Sequence, residues 1–436
     1  MEPQKRRPKG RANSGEFAPT ANLELTAELD DESMTAASDS WPAASEEESF
    51  WTPDVDLPHS NRERRQQTGP YLRSIPAFIT GAALNVPASL AAEIEEASNE
   101  VVRFDAEFGA VVGSYGSVLL RTEAVSSSRI EQLSASARAI ATVEAGVVGS
   151  GGNAEVIVAN ARAMQSAISA AGSLDEASIL ETHRILMEDD QPSIAGKWRV
   201  EQNWIGPGNA GPRLASFVPP AHERVPALMA DLVAFMHRTD LPVVALVAVA
   251  HAQFETVHPF IDGNGRTGRT LMHALLRDRG LTTESTVPIS AGILSNTDDY
   301  FSALTKYRLG NTDDIVSMTA RSTIHAVGLG RQLVGDLQRI REGWNGLLKA
   351  RQGAVAWRLA DMLVSQPVVT RELIAKRLEV GENNVDRVLQ PFEEAGILVK
   401  SGSADRGRRV WRSVEVLSAL DAFGERLGRR TLARRD

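Results

Sequence analysis

Residues 258–269 read HPFIDGNGRTGR, and the stretch before them, 242–257, reads PVVALVAVAHAQFETV. The earlier stretch is nearly all apolar, which suits a helix buried on every side better than an amphipathic surface helix. Pro259 disfavours helical geometry at His258, so the histidine is expected where that helix ends, facing a cleft. A second helix is expected over 266–279, with Gly280 as its stop. Gly263, Asn264 and Gly265 then fall at a helix N-terminus, where unpaired N–H groups and the helix dipole favour a phosphate.

The residue types in this loop divide into chemical roles. A neutral imidazole at His258 can accept a hydroxyl proton near neutral pH. Asp262 is a hard oxygen ligand suited to Mg²⁺, whose sites combine one or two carboxylates with substrate phosphates. The two glycines let the backbone approach phosphates closely, and Asn264 offers a side-chain amide. Arg266 and Arg269 are three apart on one helix face and can form forked contacts with phosphate oxygens. Phe260 is expected as a core anchor for the loop. Taken singly, Gly, Asn and Asp are ordinary turn formers. Together they read as a site for a nucleotide triphosphate.

These residues resemble the Fic family of protein-modifying enzymes, whose motif is H-x-F-x-(D/E)-G-N-G-R-x-x-R. His258, Phe260, Asp262, Gly263, Asn264, Gly265, Arg266 and Arg269 match it at every defined position. The resemblance implies a mainly α fold, a helical bundle with a short β-hairpin flap, that moves AMP from ATP to a Ser, Thr or Tyr hydroxyl of a protein. It implies His258 as the base, Asp262 as the holder of Mg²⁺, and Gly263, Asn264, Gly265, Arg266 and Arg269 as the binders of the phosphates of ATP. Another nucleotide donor, removal of AMP, and a DNA-binding regulator with a nucleotide-sensing site remain alternatives.

Residues 117–133, SVLLRTEAVSSSRIEQL, are helix-like and place Ser127 and Glu131 four apart on one face. They resemble the family's inhibitory helix, (S/T)-x-x-x-E-(G/N), with Gln132 departing from the last position. The resemblance implies that Glu131 pairs with Arg269 and spoils the seating of the γ-phosphate. Residues 196–220 are rich in Gly, Pro and Asn, and are expected to form a short hairpin around Gly206-Pro207-Gly208-Asn209. In the family such a flap holds the target by adding it as a strand. Trp198 and Trp204 are expected to pack on the helices beneath. Residues 296–310 resemble the family's segment near the adenine, so Tyr300 is a candidate for the base, with a core role equally open.

The 436 residues predict two or three domains. Without cysteine there is neither a disulfide framework nor a thiolate metal site, and a reducing cytoplasm is compatible. The longest apolar run is too short for a membrane span, and the basic start has no apolar stretch behind it, so a cytoplasmic protein is expected. The net charge of −9 is uneven: residues 1–11 carry +4, residues 12–61 carry −12, and 62–436 carry only −1. Residues 1–70 therefore read as a disordered acidic tail, with order beginning near Tyr71.

Helices are expected over 87–108 and 117–146 within a region spanning 71–172, then a Gly-rich turn at 146–153. Further helices are expected over 154–171, 174–187 and 225–239. The catalytic domain is expected over 173–350, closed by helices at 314–334 and 337–351. Residues 351–436 change character, with three short helices at 355–363, 370–378 and 384–395. Thr370 is placed to cap the second of these, and two strand-like pieces flank 403–407. This resembles a winged helix-turn-helix domain. Its putative recognition helix carries one cation, Arg387, and contains Pro391, so contact with protein is favoured over DNA. A homodimer is left open.

Overall fold

The computed structural model describes residues 41–54, 60–109, 112–147, 152–172, 174–207, 211–351, 353–401 and 409–432. Ser45–Trp51 (β1) and Gly69–Ile75 (β2) form an antiparallel pair, Ser45 opposite Ile75 and Trp51 opposite Gly69, with Asn61–Gln67 (α1) between them. The helices Ala88–Gly109 (α2), Val112–Ile130 (α3), Ala137–Glu144 (α4), Asn153–Ser169 (α5) and Glu176–Met187 (α6) follow. After an irregular segment come Val225–Met236 (α7), Val243–Val257 (α8), Asn264–Asp278 (α9), Ile289–Leu294 (α10), Thr297–Arg308 (α11) and Asp313–Leu347 (α12). The chain continues with Val355–Ser365 (α13), Val368–Thr370 (β3), Arg371–Leu378 (α14), Val385–Glu394 (α15), Val399–Lys400 (β4), Val410–Arg412 (β5) and Val414–Leu432 (α16).

The molecule is mainly helical, as expected. In α8 every residue from Val244 to Val257 is buried, which explains the lack of a polar stripe in its sequence. Around it pack α7, α9, α11 and α12. In α2 the apolar positions Leu90, Ile94, Ala97, Val101, Phe104 and Phe108 recur at three- and four-residue steps and form one stripe against α12. At 35 residues, α12 is about 50 Å long and runs past both the catalytic helices and α16. No helix among the described residues is long and apolar enough to cross a membrane.

Several expectations change. Structure begins well before Tyr71: Trp41 is buried against Phe235 and Tyr307, and Trp51 packs edge-on against Tyr71, so aromatic anchoring outweighs the acidic composition. The expected helix over 117–146 is two helices, broken where Gln132 adopts φ 59 and Ser136 caps α4. The two helices expected over 314–351 are one. Among the described residues of 196–220 there is one β-bridge, Ile205 to Phe217, in place of a regular hairpin. Residues 208–210 of that turn, 148–151 of the Gly-rich turn and most of the 403–407 loop's surroundings (402–408) lie outside the described residues.

Residues 355–412 follow the anticipated order, and the Thr370 hydroxyl accepts the Leu373 N–H at 3.2 Å as the expected cap. Strand β3 was not anticipated, and it completes a sheet in the order β3-β5-β4. Nor was α16, which lies along α12 and α4.

Candidate active site

The loop between α8 and α9 turns on two left-handed residues. His258 ends α8 at φ 49, ψ 62, with its N–H still donating to Phe254 O at 2.8 Å. Gly263 precedes α9 at φ 78, a conformation that favours glycine. Asn264 closes the loop from inside: its Oδ1 accepts the Phe260 N–H at 2.8 Å and its Nδ2 donates to Phe260 O at 2.8 Å. The Asn264 side chain thus shapes the loop, and the residue also lines the cavity over the α9 N-terminus. Phe260 is fully buried, as its anchoring role requires, and stacks on His183 with centroids 3.7 Å apart.

Over the α9 N-terminus lies a cavity of about 370 Å³ whose lining includes Glu131, Asp190, Asp262, Gly263, Gly265 and Arg266. Asp262 is held by two donors, Gln191 Nε2 at 2.8 Å to Oδ2 and its neighbour Gly263 N at 2.6 Å to Oδ1, and Arg266 Nη2 is 3.7 Å from Oδ1. Its side chain is 26% exposed, so the carboxylate faces the cavity as an anchored oxygen donor. One such carboxylate beside a phosphate cradle fits Mg²⁺, which draws its remaining ligands from phosphate and water.

Arg269, 1% exposed, donates from Nε to Ser127 Oγ at 2.9 Å and from Nη2 to Ser127 O at 2.9 Å and Glu131 Oε1 at 2.8 Å. The two segments joined by resemblance are therefore in contact. A Cβ on Gly265 would collide with that same Glu131 oxygen and stand 2.9 Å from Arg269 Nη1. The Glu131 carboxylate thus sits on the bare backbone at the helix N-terminus, where an anion is favoured. Burial disfavours the charge on Arg269, but the carboxylates of Glu131 and Glu255 hold it firmly protonated.

His258 is 4% exposed, and burial together with the Arg199 and Arg308 cations pushes its pKa down to about 3. The backbone of Glu255 works the other way. Tyr300 is placed differently from the expected adenine contact: it is 1% exposed, with its hydroxyl 2.8 Å from His251 Nε2. Trp198 packs on Phe260 of the loop between α8 and α9, and Trp204 meets Trp51 of β1, so in each case the aromatic partner is not on a helix.

Four residues of this neighbourhood had no local signature. His183 on α6 accepts the Gly196 N–H at Nδ1 (3.0 Å) and donates from Nε2 to Asp262 O (3.0 Å), and burial brings its pKa down to about 4. The neutral ring therefore ties the loop to the start of the flap segment. Arg199 donates to His258 O at 2.9 Å and to Pro220 O at 2.5 Å, gathering both ends of that segment beneath the histidine. Gln191 steadies Asp262. Glu255, one turn before His258, is buried beside it at 3.8 Å, from Oε2 to Nδ1. The i, i+3 spacing of Glu255 and His258 is the only one of these signals open to sequence reading.

Comparison with known proteins bears on this site. Residues 173–276 match the model of the Fic/DOC family. The chain is 30% identical over 146 residues to a protein adenylyltransferase, fic-1, of Caenorhabditis briggsae, a match that covers 33% of this chain and 26% of that protein. It is 35% identical over 105 residues to a protein adenylyltransferase, Fic, of Drosophila erecta, covering 23% and 19% respectively. It thus spans about a quarter or less of the length of these relatives. In fold, the chain is similar to a Fic family protein from Desulfovibrio desulfuricans G20, with TM-score 0.50 and 19% identity over 76% of this chain and 97% of that one.

Proposed function

Residues 173–276 being a Fic domain, we propose that the protein is a protein adenylyltransferase working in the cytoplasm, moving AMP from ATP to a Ser, Thr or Tyr hydroxyl of a protein target. The observation that carries the reading is the phosphate cradle itself: Gly263 to Gly265 at the α9 N-terminus, flanked by Arg266, Arg269 and the anchored Asp262. Asp262 would hold Mg²⁺, which when bound supplies charge neutralisation on the α- and β-phosphates. The target oxygen attacks the α-phosphorus, its proton passes to His258 Nε2, and the bond to the β-phosphate oxygen breaks. Pyrophosphate leaves with that electron pair, and Arg266 and Arg269 offset its growing charge.

In the resting arrangement Glu131 takes the position where a phosphate would meet Arg269 and Gly265, and the protein is held off. The unit 355–432 we read as a winged helix that serves as an internal contact module. Arg138 Nη2 reaches Ser401 Oγ at 3.0 Å, and the Ala137 N–H reaches Asp421 Oδ1 at 2.9 Å, so its faces are engaged with the chain itself.

The test uses ATP labelled at the α-phosphate in a cell lysate with wild type, Glu131→Gly and Glu131→Gly/His258→Ala. AMP transfer predicts protein-bound label that is weak in wild type, strong in Glu131→Gly and absent when His258 is also replaced. Label arriving only from the γ-phosphate, or equal label with and without His258, would overturn the reading.

A further inference from the structure

Glu255 lies one helical turn before His258 and is 6% exposed, and neither the phosphate cradle nor the inhibitory contact needs it. Its Oε2 is 3.8 Å from His258 Nδ1. On the α9 side it meets bare backbone: a Cβ on Gly268 would stand 2.8 Å from Glu255 Oε1 and 3.2 Å from His251 Nδ1. The other charged or titratable groups bearing on this carboxylate and on His258 are His251 on α8, Glu131 beyond α3, Arg199, Arg269 on α9, Tyr300 and Arg308 on α11, and Asp262.

The balance among them is one-sided. Burial, Arg199 and Arg308 all oppose a positive charge on His258. Asp262 favours that charge, but its oxygens are held by Gln191 and Gly263 and face the phosphates. A base in such a setting needs a compensating anion near Nδ1 at the moment it takes a proton.

We propose that Glu255 is the positioning residue of the base: its side-chain carboxylate, 3.8 Å from Nδ1, favours the proton on that nitrogen, so that Nε2 is the accepting atom, and offsets the imidazolium charge. This rests on the reading in which His258 receives the hydroxyl proton. It adds a second consequence to the Glu131 contact. Burial raises the Glu255 pKa to about 7, Arg269 lowers it and Glu131 raises it. When Glu131 withdraws, Arg269 faces Glu255 alone, and the carboxylate ionises more readily. Release of the inhibitory contact then frees the phosphate cradle and charges the partner of the base together.

The experiment uses the full chain in the Glu131→Gly background, with α-labelled ATP and the same lysate, between pH 5.5 and 9. Glu255→Gln is expected to lower kcat about 10- to 100-fold, to leave KM for ATP within about twofold, and to move the acid limb of kcat to lower pH. Glu255→Asp, which keeps the charge at a longer reach, recovers part of both. An unchanged kcat overturns the proposal, and so does a lowered kcat whose acid limb stays in place, since that marks a structural role only. If Glu255→Gln does not fold, the imidazole resonances of the Glu131→Gly protein decide, with His258 assigned through His258→Ala. An Nδ1–H tautomer titrating in two coupled steps is expected, and a single isolated step overturns the assignment. Label that persists without His258 removes the reading itself, a different result from a silent Glu255.

Discussion

Replacing Glu131 with glycine removes the one carboxylate bonded to Arg269 and vacates the space above Gly265. Two unit charges 2.8 Å apart attract by roughly 6 kcal/mol at an effective dielectric of about 20. Arg269 is almost fully desolvated while the Glu131 side chain is 29% exposed, so water recovers much of that energy. A net value of about 2 kcal/mol, typical of a charged hydrogen bond, is the fair figure. An incoming triphosphate must displace this contact, and 2 kcal/mol corresponds to roughly 30-fold in its apparent affinity. Glu131→Gly should therefore bind ATP with Mg²⁺ about 30-fold more tightly by titration calorimetry and transfer α-label correspondingly faster at low ATP. Glu131→Gln separates the two components, because it removes the charge while keeping the bulk above Gly265, and should gain only part of the increase. Arg269 keeps both bonds to Ser127, so the variants should stay folded. If affinity and transfer rate in both variants equal those of wild type, the contact is structural and the inhibitory reading is refuted.

Two further outcomes follow from the same geometry. Gly265→Ala places a methyl against Glu131 Oε1 and Arg269 Nη1, so ATP binding by calorimetry should fall at least tenfold even in the Glu131→Gly background, where only the arginine and phosphate contacts remain to clash; retained affinity would show that phosphate does not sit over Gly265. Acid should destabilise the fold. His183, His251 and His258 are lowered by burial to about 4, 3 and 3, so the unfolded chain takes up protons near pH 6.5 and the folded one does not. Each contributes stability that is full above about 6.5 and is lost by about 1.4 kcal/mol per pH unit as pH falls toward the folded value. Glu255, raised to about 7, acts oppositely and gains stability as pH falls from 7 to 4.5. The melting temperature should drop between pH 6.5 and 4.5, more steeply in Glu255→Gln, and equal slopes in the two proteins would contradict the Glu255 assignment.

What could be read from the sequence was the chemistry that lies contiguous along it. The loop 258–269 concentrates its groups within twelve residues, so spacing alone put His258 at a helix end and Gly263 to Gly265 at a helix start. His183 and Arg199 reach the same loop from 79 and 59 positions upstream of Asp262's carbonyl and His258's carbonyl by tertiary packing that no local pattern announces. Residue type marked Asn264 for the phosphates but gave no sign that its amide also holds the Phe260 backbone, since a buried loop must satisfy its own backbone groups. Of the two roles left open for Tyr300, the core one matches its burial, because its helix is seated by the core. Over residues 41–54 and 60–70 the acidic composition misled because it counts charge, while the aromatic residues act through packing: Trp41 and Tyr71 are buried and Trp51 packs on Tyr71. The single long α12 was divided between 334 and 337, at Gly335, whereas Gly330 inside the expected helix is kept by packing: a Cβ there would stand 2.9 Å from the Phe104 ring.

How Glu131 lets go is constrained by what holds α3. Val118, Leu119 and Ala124 are fully buried, and Glu123 accepts the Ser290 N–H at 2.8 Å and lies 2.9 Å from His273 Nε2. Arg121 donates to Ser365 O at 2.7 Å at the end of α13, and Arg129 donates to Gly424 O at 2.5 Å on α16. Exposing even two of those apolar side chains would cost about 3–6 kcal/mol, more than the Glu131 contact itself. Withdrawal of the helix is therefore not the route. Glu131 stands just past Ile130, the last residue of α3, in a turn closed by Leu133 N to Ser128 O at 2.9 Å and by Gln132 at positive φ, so its side chain can swing out while the helix stays docked. A local equilibrium of about 2 kcal/mol can be offset by ATP alone at about a hundred times its dissociation constant, which contributes about 2.7 kcal/mol. Any partner that loosens the Arg129 contact with α16 acts two residues from Glu131 and needs to supply no more than that. On the inhibitory reading proposed above, the C-terminal unit would set the resting level of the site through the Arg129 contact.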